Sequence, residues 1–200
     1  MLVRITGPSV EPVTLDEIKL REGIDYDDHD AFIQSSIGAA TRWVENRTGR
    51  ALVDQEWEYR LADFEGEITL PKRPVISVTS IKYVDEDGDE QTVDGADYFF
   101  VDGGADADSI LMPVDDWPTG VYERPDAVRI RFTAGYAPAD ESPIDPASNV
   151  PEDLKEAIRM QVGHFIENRE AVMLSPVRQE LQVSPLGLDE LIAPYIIPRL

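Results

Sequence analysis

The sequence predicts an α+β protein: a small helical core interrupted by an inserted antiparallel β-domain. Three observations carry this reading. Apolar residues recur at helical spacing near both ends of the chain, as in Ile33, Ile37, Ala40, Val44 and again Leu154, Ile158, Val162, Phe165. The middle of the chain changes period, so that Trp57, Tyr59, Leu61 and later Val128, Ile130, Phe132 alternate with charged residues. Turn-forming clusters then cut that middle stretch into short pieces. The predicted division is residues 1–52 and 137–200 for the helical core and its C-terminal tail, with residues 53–136 as the insert.

Four helices are expected, near 14–22, 29–48, 151–169 and 187–193. Thr14 and Glu17 form a Thr-x-x-Glu capping box, and Gly23 suits the end of that short helix. The acids from Asp25 to Asp30 favour the positive end of the second helix dipole. Arg47 suits its last turn and Gly49 its C-terminal cap. Pro151 is placed for a first helical turn and is followed by Glu152 and Asp153. The simplest packing sets the helix near 29–48 against the one near 151–169. Strands are expected at Trp57–Leu61, Ile68–Leu70, Val75–Val84, Gln91–Val93, Tyr98–Val101, Ser109–Met112 and Asp126–Thr133, with a bulge near Ser80 where the alternation changes phase. Residues 137–149, with three prolines and polar filling, read as a linker, and residues 1–50 as a whole read as helical.

The chain has 200 residues, enough to bury a core without staples. Its charge is unusual: 18 basic against 40 acidic residues, a net charge of −22. The stretch 51–136 alone holds 20 of the acids and 7 of the bases. Binding to nucleic acid through a basic face is thereby disfavoured, because phosphate neutralisation needs clustered Lys and Arg. Adsorption to an anionic membrane is disfavoured for the same reason. Cysteine is absent, which removes disulfides, thiolate metal sites and cysteine nucleophiles. The residues after Met1 lack a charged leader with an apolar core, and no apolar run approaches the roughly 20 residues that span a bilayer. A protein made in the cytoplasm is expected.

Catalytic motifs are missing. There is no Gly-x-Ser-x-Gly elbow, no P-loop after Gly103-Gly104, and no Gly-x-Gly-x-x-Gly. The two histidines, His29 and His164, fall on different predicted helices; the first reads as a surface residue and the second as a packing residue. Asp85-Glu86-Asp87-Gly88-Asp89-Glu90 resembles part of a calcium loop. Aligning Gly88 with the loop glycine, however, puts Tyr83 first and Asp94 last, and the flanks are strands. A hairpin turn is the better reading there, and a flexible acidic loop is the better reading of 102–108. Asp115-Asp116-Trp117 reads as a turn with its indole packed on the β-domain. No enzyme activity, metal or cofactor is expected, and the alternative function is a calcium- or glycan-binding β-module on a helical base.

The tail is apolar for a chain end: Leu191, Ile192, Tyr195, Ile196, Ile197 and Leu200, with Pro194 and Pro198 preventing a longer helix. It either folds back on its own core or docks on a partner.

Six phrases in order resemble the head–tail connector, or adaptor, proteins of tailed bacteriophages and gene-transfer particles. They are Pro12-Val13-Thr14-Leu15-Asp16-Glu17-Ile18-Lys19; Trp43-Val44-Glu45-Asn46-Arg47-Thr48-Gly49-Arg50-Ala51-Leu52; Leu70-Pro71-Lys72-Arg73-Pro74 running on to Ile81; Thr133-Ala134-Gly135-Tyr136; Val150-Pro151-Glu152-Asp153-Leu154 through Ile158 with His164 through Glu170; and Pro185-Leu186-Gly187 through Tyr195. The resemblance implies a structural virion protein of the neck, between head and tail. Such proteins assemble as a ring, typically of twelve copies, below the portal protein. The ring extends the DNA channel and docks the next neck or tail component, while DNA passes through without specific binding. By the same analogy the tail residues Tyr195, Ile196, Ile197, Pro198 and Leu200 are assigned to portal contact. The net charge of −22 suits a channel that must not hold phosphates.

Overall fold

A computed structural model describes residues 1–136, 147–168 and 187–197. The elements run in the order β1 (Leu2–Thr6), α1 (Leu15–Glu22), α2 (Asp30–Thr48), β2 (Gln55–Leu61), β3 (Ile68–Thr69), β4 (Val75–Val84), β5 (Glu90–Thr92), β6 (Tyr98–Val101), β7 (Ile110–Pro113), β8 (Val128–Ala134), α3 (Glu152–Glu167) and α4 (Leu188–Ile192). The α+β class is as expected. The chain divides into a β unit, Met1–Ser9 with Val53–Pro146, and a helical unit, Val10–Leu52 with Ala147–Leu200.

The division differs from the expected one at the N-terminus. Residues 1–9 join the β unit because Leu2–Thr6 form an edge strand antiparallel to β2, with Leu2 opposite Tyr59 and Arg4 opposite Trp57. A five-residue strand carries too little periodicity to announce itself, and its partners in β2 lie fifty or more residues away. Most of the expected linker, residues 137–146, lies outside the described residues, as does the end of the third expected helix from Arg169 onward.

In the helical unit the local signals act as written. Thr14 Oγ1 accepts the Glu17 N–H at 3.2 Å while Glu17 Oε2 accepts the Thr14 N–H at 2.7 Å, completing the capping box. Gly23 and Gly49 both close their helices in the left-handed region. Ile33, Ile37, Ala40 and Val44 of α2 are fully buried, as are Leu154, Ala157, Ile158 and Val162 of α3, and the two helices pack together. Each such aliphatic side chain larger than alanine contributes about 1.5–3 kcal/mol of burial. Phe165, the last of the expected stripe, is only half-buried.

The β unit holds two antiparallel sheets. The larger has the order β1-β2-β8-β4-β5 and the smaller β3-β7-β6. The pleat of β8 turns Val128, Ile130, Phe132 and Ala134 inward, all fully buried, and Arg129 and Arg131 outward. The expected irregularity near Ser80 is present: the β4–β8 register slips between Val78 and Ser80, and again between Val75 and Ser77. In the smaller sheet Ile68 and Leu111 are buried opposite one another.

Candidate functional site

The phrase that closes α2 is a receptor for the C-terminal segment. Thr48 Oγ1 donates to the Val44 carbonyl at 2.8 Å and accepts the Arg50 N–H at 3.3 Å. Glu45, almost wholly buried, reaches past the helix end so that Oε1 accepts the Leu52 N–H at 3.1 Å. Gly49, at φ 79°, turns the chain, and a Cβ there would stand 3.5 Å from the Ile197 side chain, which packs against this turn. The Ile197 N–H donates to the Thr48 carbonyl at 2.9 Å, an acceptor left over at the helix terminus. Arg50 donates from Nε to the Tyr195 carbonyl at 2.7 Å and lies 5.7 Å from the centre of the Tyr195 ring. Tyr195 in turn donates its hydroxyl to Asp153 Oδ2 at 3.2 Å, so three stretches of chain meet at one point.

Of the five tail residues assigned to a partner, Tyr195 and Ile197 are half-buried in this clasp, while Ile196 between them is 39% exposed. An extended backbone at Ile196 alternates its neighbours inward and itself outward. Pro198 and Leu200 lie outside the described residues. Sequence reasoning missed Glu45, Arg50 and Asp153 as parts of the site. The signal available was a charged residue on each side of the Thr48-Gly49 helix stop, in positions where a solvated side chain would be ordinary.

Arg159 and Arg21 of the helical unit make internal ion pairs. Arg159 reaches Glu17 at 3.4 Å and Glu156 at 3.5 Å and also pairs with Glu152; Arg21 pairs with Glu156 at 2.7 Å. The hydrogen bond from Arg21 holds the Glu156 carboxyl below its ordinary value, against the opposing effect of burial.

In the β unit the acidic turn is self-satisfied. Asp85 Oδ1 accepts the N–H groups of Asp87 at 3.1 Å and Asp89 at 2.9 Å, and Oδ2 accepts Gln91 Nε2 at 2.7 Å. The Gln91 hydrogen bond, followed by the backbone donors, holds its pKa below the usual carboxylate range. Among the described residues no three His, Cys, Asp or Glu side chains gather as metal ligands would. His29 precedes α2 with its ring edge-on to Tyr26, and His164 lies 3.1 Å from Asn168 Nδ2. Trp117 stacks on Phe64 at 4.9 Å and donates Nε1–H to the Gly66 carbonyl at 3.2 Å, as a packed turn residue would. A cleft of about 290 Å³ beside it is lined by Tyr83, Thr92, Asp97, Asp115, Asp116 and Trp117. No helix among the described residues is long and apolar enough to cross a membrane.

The helical unit is thus capped by its own C-terminal segment. Residues 12–94 match the model of the phage gp6-like head–tail connector family, as the resemblance in the sequence implies. The fold is shared by chains from the neck of an empty gene transfer agent particle computed with C6 symmetry (24% identity, TM-score 0.75) and from the virion of a native gene transfer agent particle (26%, 0.75). A third such chain is from the neck of a native particle computed with C12 symmetry (24%, 0.68). Each match covers 100% of this chain and 97% of the other. No curated protein matches the chain.

Proposed function

We propose that the chain is a head–tail connector of the virion neck, a structural protein that forms a ring, sits below the portal, lengthens the DNA channel and docks the next neck or tail component. The observation that carries this reading is the end-to-end likeness to a chain of a virion and its neck, together with the family match over residues 12–94. The C6 and C12 symmetries of the matched necks support a ring, and twelve copies is the proposed number. The net charge of −22 supports passage of DNA without adhesion, since like charge repels the phosphates.

The portal contact is assigned to Tyr195, Ile196, Ile197, Pro198 and Leu200, of which Ile196 is exposed among the described residues. Tyr195 and Ile197 hold that segment in place from the inner side. The virion neck is accordingly the proposed location, with synthesis in the host cytoplasm.

The test is the mass of the purified protein alone and mixed with the portal of its own particle, by light scattering. A large stoichiometric complex is expected for the natural chain, and its loss for Ile196→Asp. Absence of association across a range of salt would overturn the connector reading. Normal association of Ile196→Asp would overturn the tail assignment.

A further inference from the structure

β6 is an open edge of the smaller sheet, whose order is β3-β7-β6. The Val114 N–H donates to the Asp97 carbonyl at 2.9 Å, and Pro113, which has no N–H, stands opposite Tyr98. In an antiparallel ladder bonded and non-bonded pairs alternate. Asp97, Phe99 and Val101 therefore turn their backbone groups to β7, and Tyr98 and Phe100 turn theirs away from it. No backbone partner for Tyr98 or Phe100 stands on that side among the described residues. A row of free N–H and C=O groups is a template for one more strand, and β6 carries none of the lysines or prolines that commonly protect an edge.

The side chains beside that edge are apolar and exposed. Phe99 is 58% exposed and Val101 47%, with Met112 and Ile110 opposite them on β7. On the same face the pair Asp97 and Val114 leads into the cleft of about 290 Å³ beside Trp117. Asp97, Asp115 and Asp116 line that cleft, all three exposed and none in an ion pair among the described residues. Tyr83 and Trp117 give it aromatic walls, held by Phe64, which stacks on Trp117 and meets Tyr83 edge-on at 5.7 Å. Carboxylates beside aromatic rings suit an ammonium or guanidinium head on an alkyl stem. The surrounding charge is one-sided. From Asp94 to Asp116 the chain has seven aspartates, all exposed, and no Lys, Arg or His. Of the seven, only Asp108 meets a cation among the described residues, Arg73.

We propose that the β6 edge takes an extended segment of a different protein, added as a further strand. Its apolar side chains lie along Phe99 and Val101, and a flanking Lys or Arg enters the cleft between Asp97, Asp115, Asp116 and Trp117. Backbone bonds to Tyr98 and Phe100 supply affinity whatever the sequence, while the apolar face and the acidic cleft supply selection. Charge decides the occupant. DNA and acidic segments are repelled by the aspartates, and a second copy brings its own net charge of −22 to the same rim. The inference stands on the β unit alone, so its failure leaves the connector reading untouched.

The probe is the nonapeptide Lys-Lys-Val-Thr-Val-Thr-Val-Lys-Lys, added to the full chain, with amide hydrogen exchange read residue by residue by NMR. Exchange at the Tyr98 and Phe100 amides is expected to slow by about tenfold or more, while Phe99 and Val101, already bonded to β7, change little. Fluorescence titration should show an affinity lower by about tenfold or more for the same peptide with Glu in place of its four lysines. The doubly substituted chain Asp115→Asn, Asp116→Asn should lose a similar factor for the lysine peptide. The charge-matched control Asp25→Asn, Asp28→Asn, in the helical unit, should bind as the natural chain does. A peptide that fails to bind, that binds without slowing Tyr98 and Phe100, or that loses as much affinity with the control chain overturns the proposal. Tyr98 and Phe100 amides that are protected without peptide, and more so as protein concentration rises, would give the edge to a second copy and overturn it as well.

Discussion

Arg50 donates from Nε to the carbonyl oxygen of Tyr195 at 2.7 Å, across 145 residues of sequence, and its guanidinium lies over the same residue's ring. Arg50 is only 3% exposed, so its charge is accommodated by that carbonyl and by the surfaces around it. The pair ties the C-terminal segment to the end of α2 and explains why an apolar tail can start as part of the core and still present Ile196 outward.

Replacing Arg50 by Ala is expected to destabilise the protein by about 1.5–3 kcal/mol, the usual worth of a hydrogen bond made by a charged group. Arg50→Lys should recover little, because an ammonium cannot both lie flat over the ring and donate along the Nε direction. Urea unfolding measures the loss, and hydrogen exchange at the Ile197 amide, bonded to Thr48, should speed up in both variants.

Deleting residues 194–200 removes the acceptor of Arg50, the donor to Thr48 and the partner of Asp153 together. A stability loss of about 2–4 kcal/mol is expected. Ile196→Asp, at an exposed position, should change stability by no more than about 0.5 kcal/mol. Thermal unfolding of the two side by side separates holding the tail from using it.

Gly135 follows β8 at φ 147°, and a Cβ there would stand 2.5 Å from the carbonyl carbon and oxygen of Val53. Its N–H also donates to the Pro74 carbonyl at 2.9 Å, so the backbone cannot move aside freely. Gly135→Ala is expected to cost about 3 kcal/mol or more, visible as a lower unfolding midpoint and poorer soluble yield.

Glu58 is 4% exposed between Arg60 and Arg131. Burial raises its pKa, but the hydrogen bonds from Arg131 and Arg60 outweigh that, and the folded value lies below the ordinary 4.5. A carboxyl depressed by folding adds stability that is full above its unfolded value and is lost as pH falls through the folded one. Glu58→Gln should therefore cost about 1–3 kcal/mol at neutral pH, and the difference from the natural chain should shrink as pH drops below 4.5. Unfolding midpoints measured down that range check it; a gap that stays constant with pH would refute the assignment.

Most of the fold was legible because its signals are local. The capping box of Thr14 and Glu17, the αL closures at Gly23 and Gly49, and the alternation in β8 each act within a few residues. The bulge near Ser80 was visible as a break in alternation. The strand at Leu2–Thr6 was not, since a short edge strand is defined by the neighbour it pairs with. The candidate site was half legible: the apolar tail stood out, while the buried charges that receive it looked like any surface charges.

The sequence alone determined the class of fold, the helix boundaries, the family resemblance and the absence of a catalytic motif, because periodicity, caps and composition are properties of neighbouring residues. Tertiary structure decided which tail residues turn inward, where Arg50 and Asp153 act, and that β6 is left at the edge of its sheet. Those depend on register and on contacts closed over long stretches of chain, which no local pattern encodes.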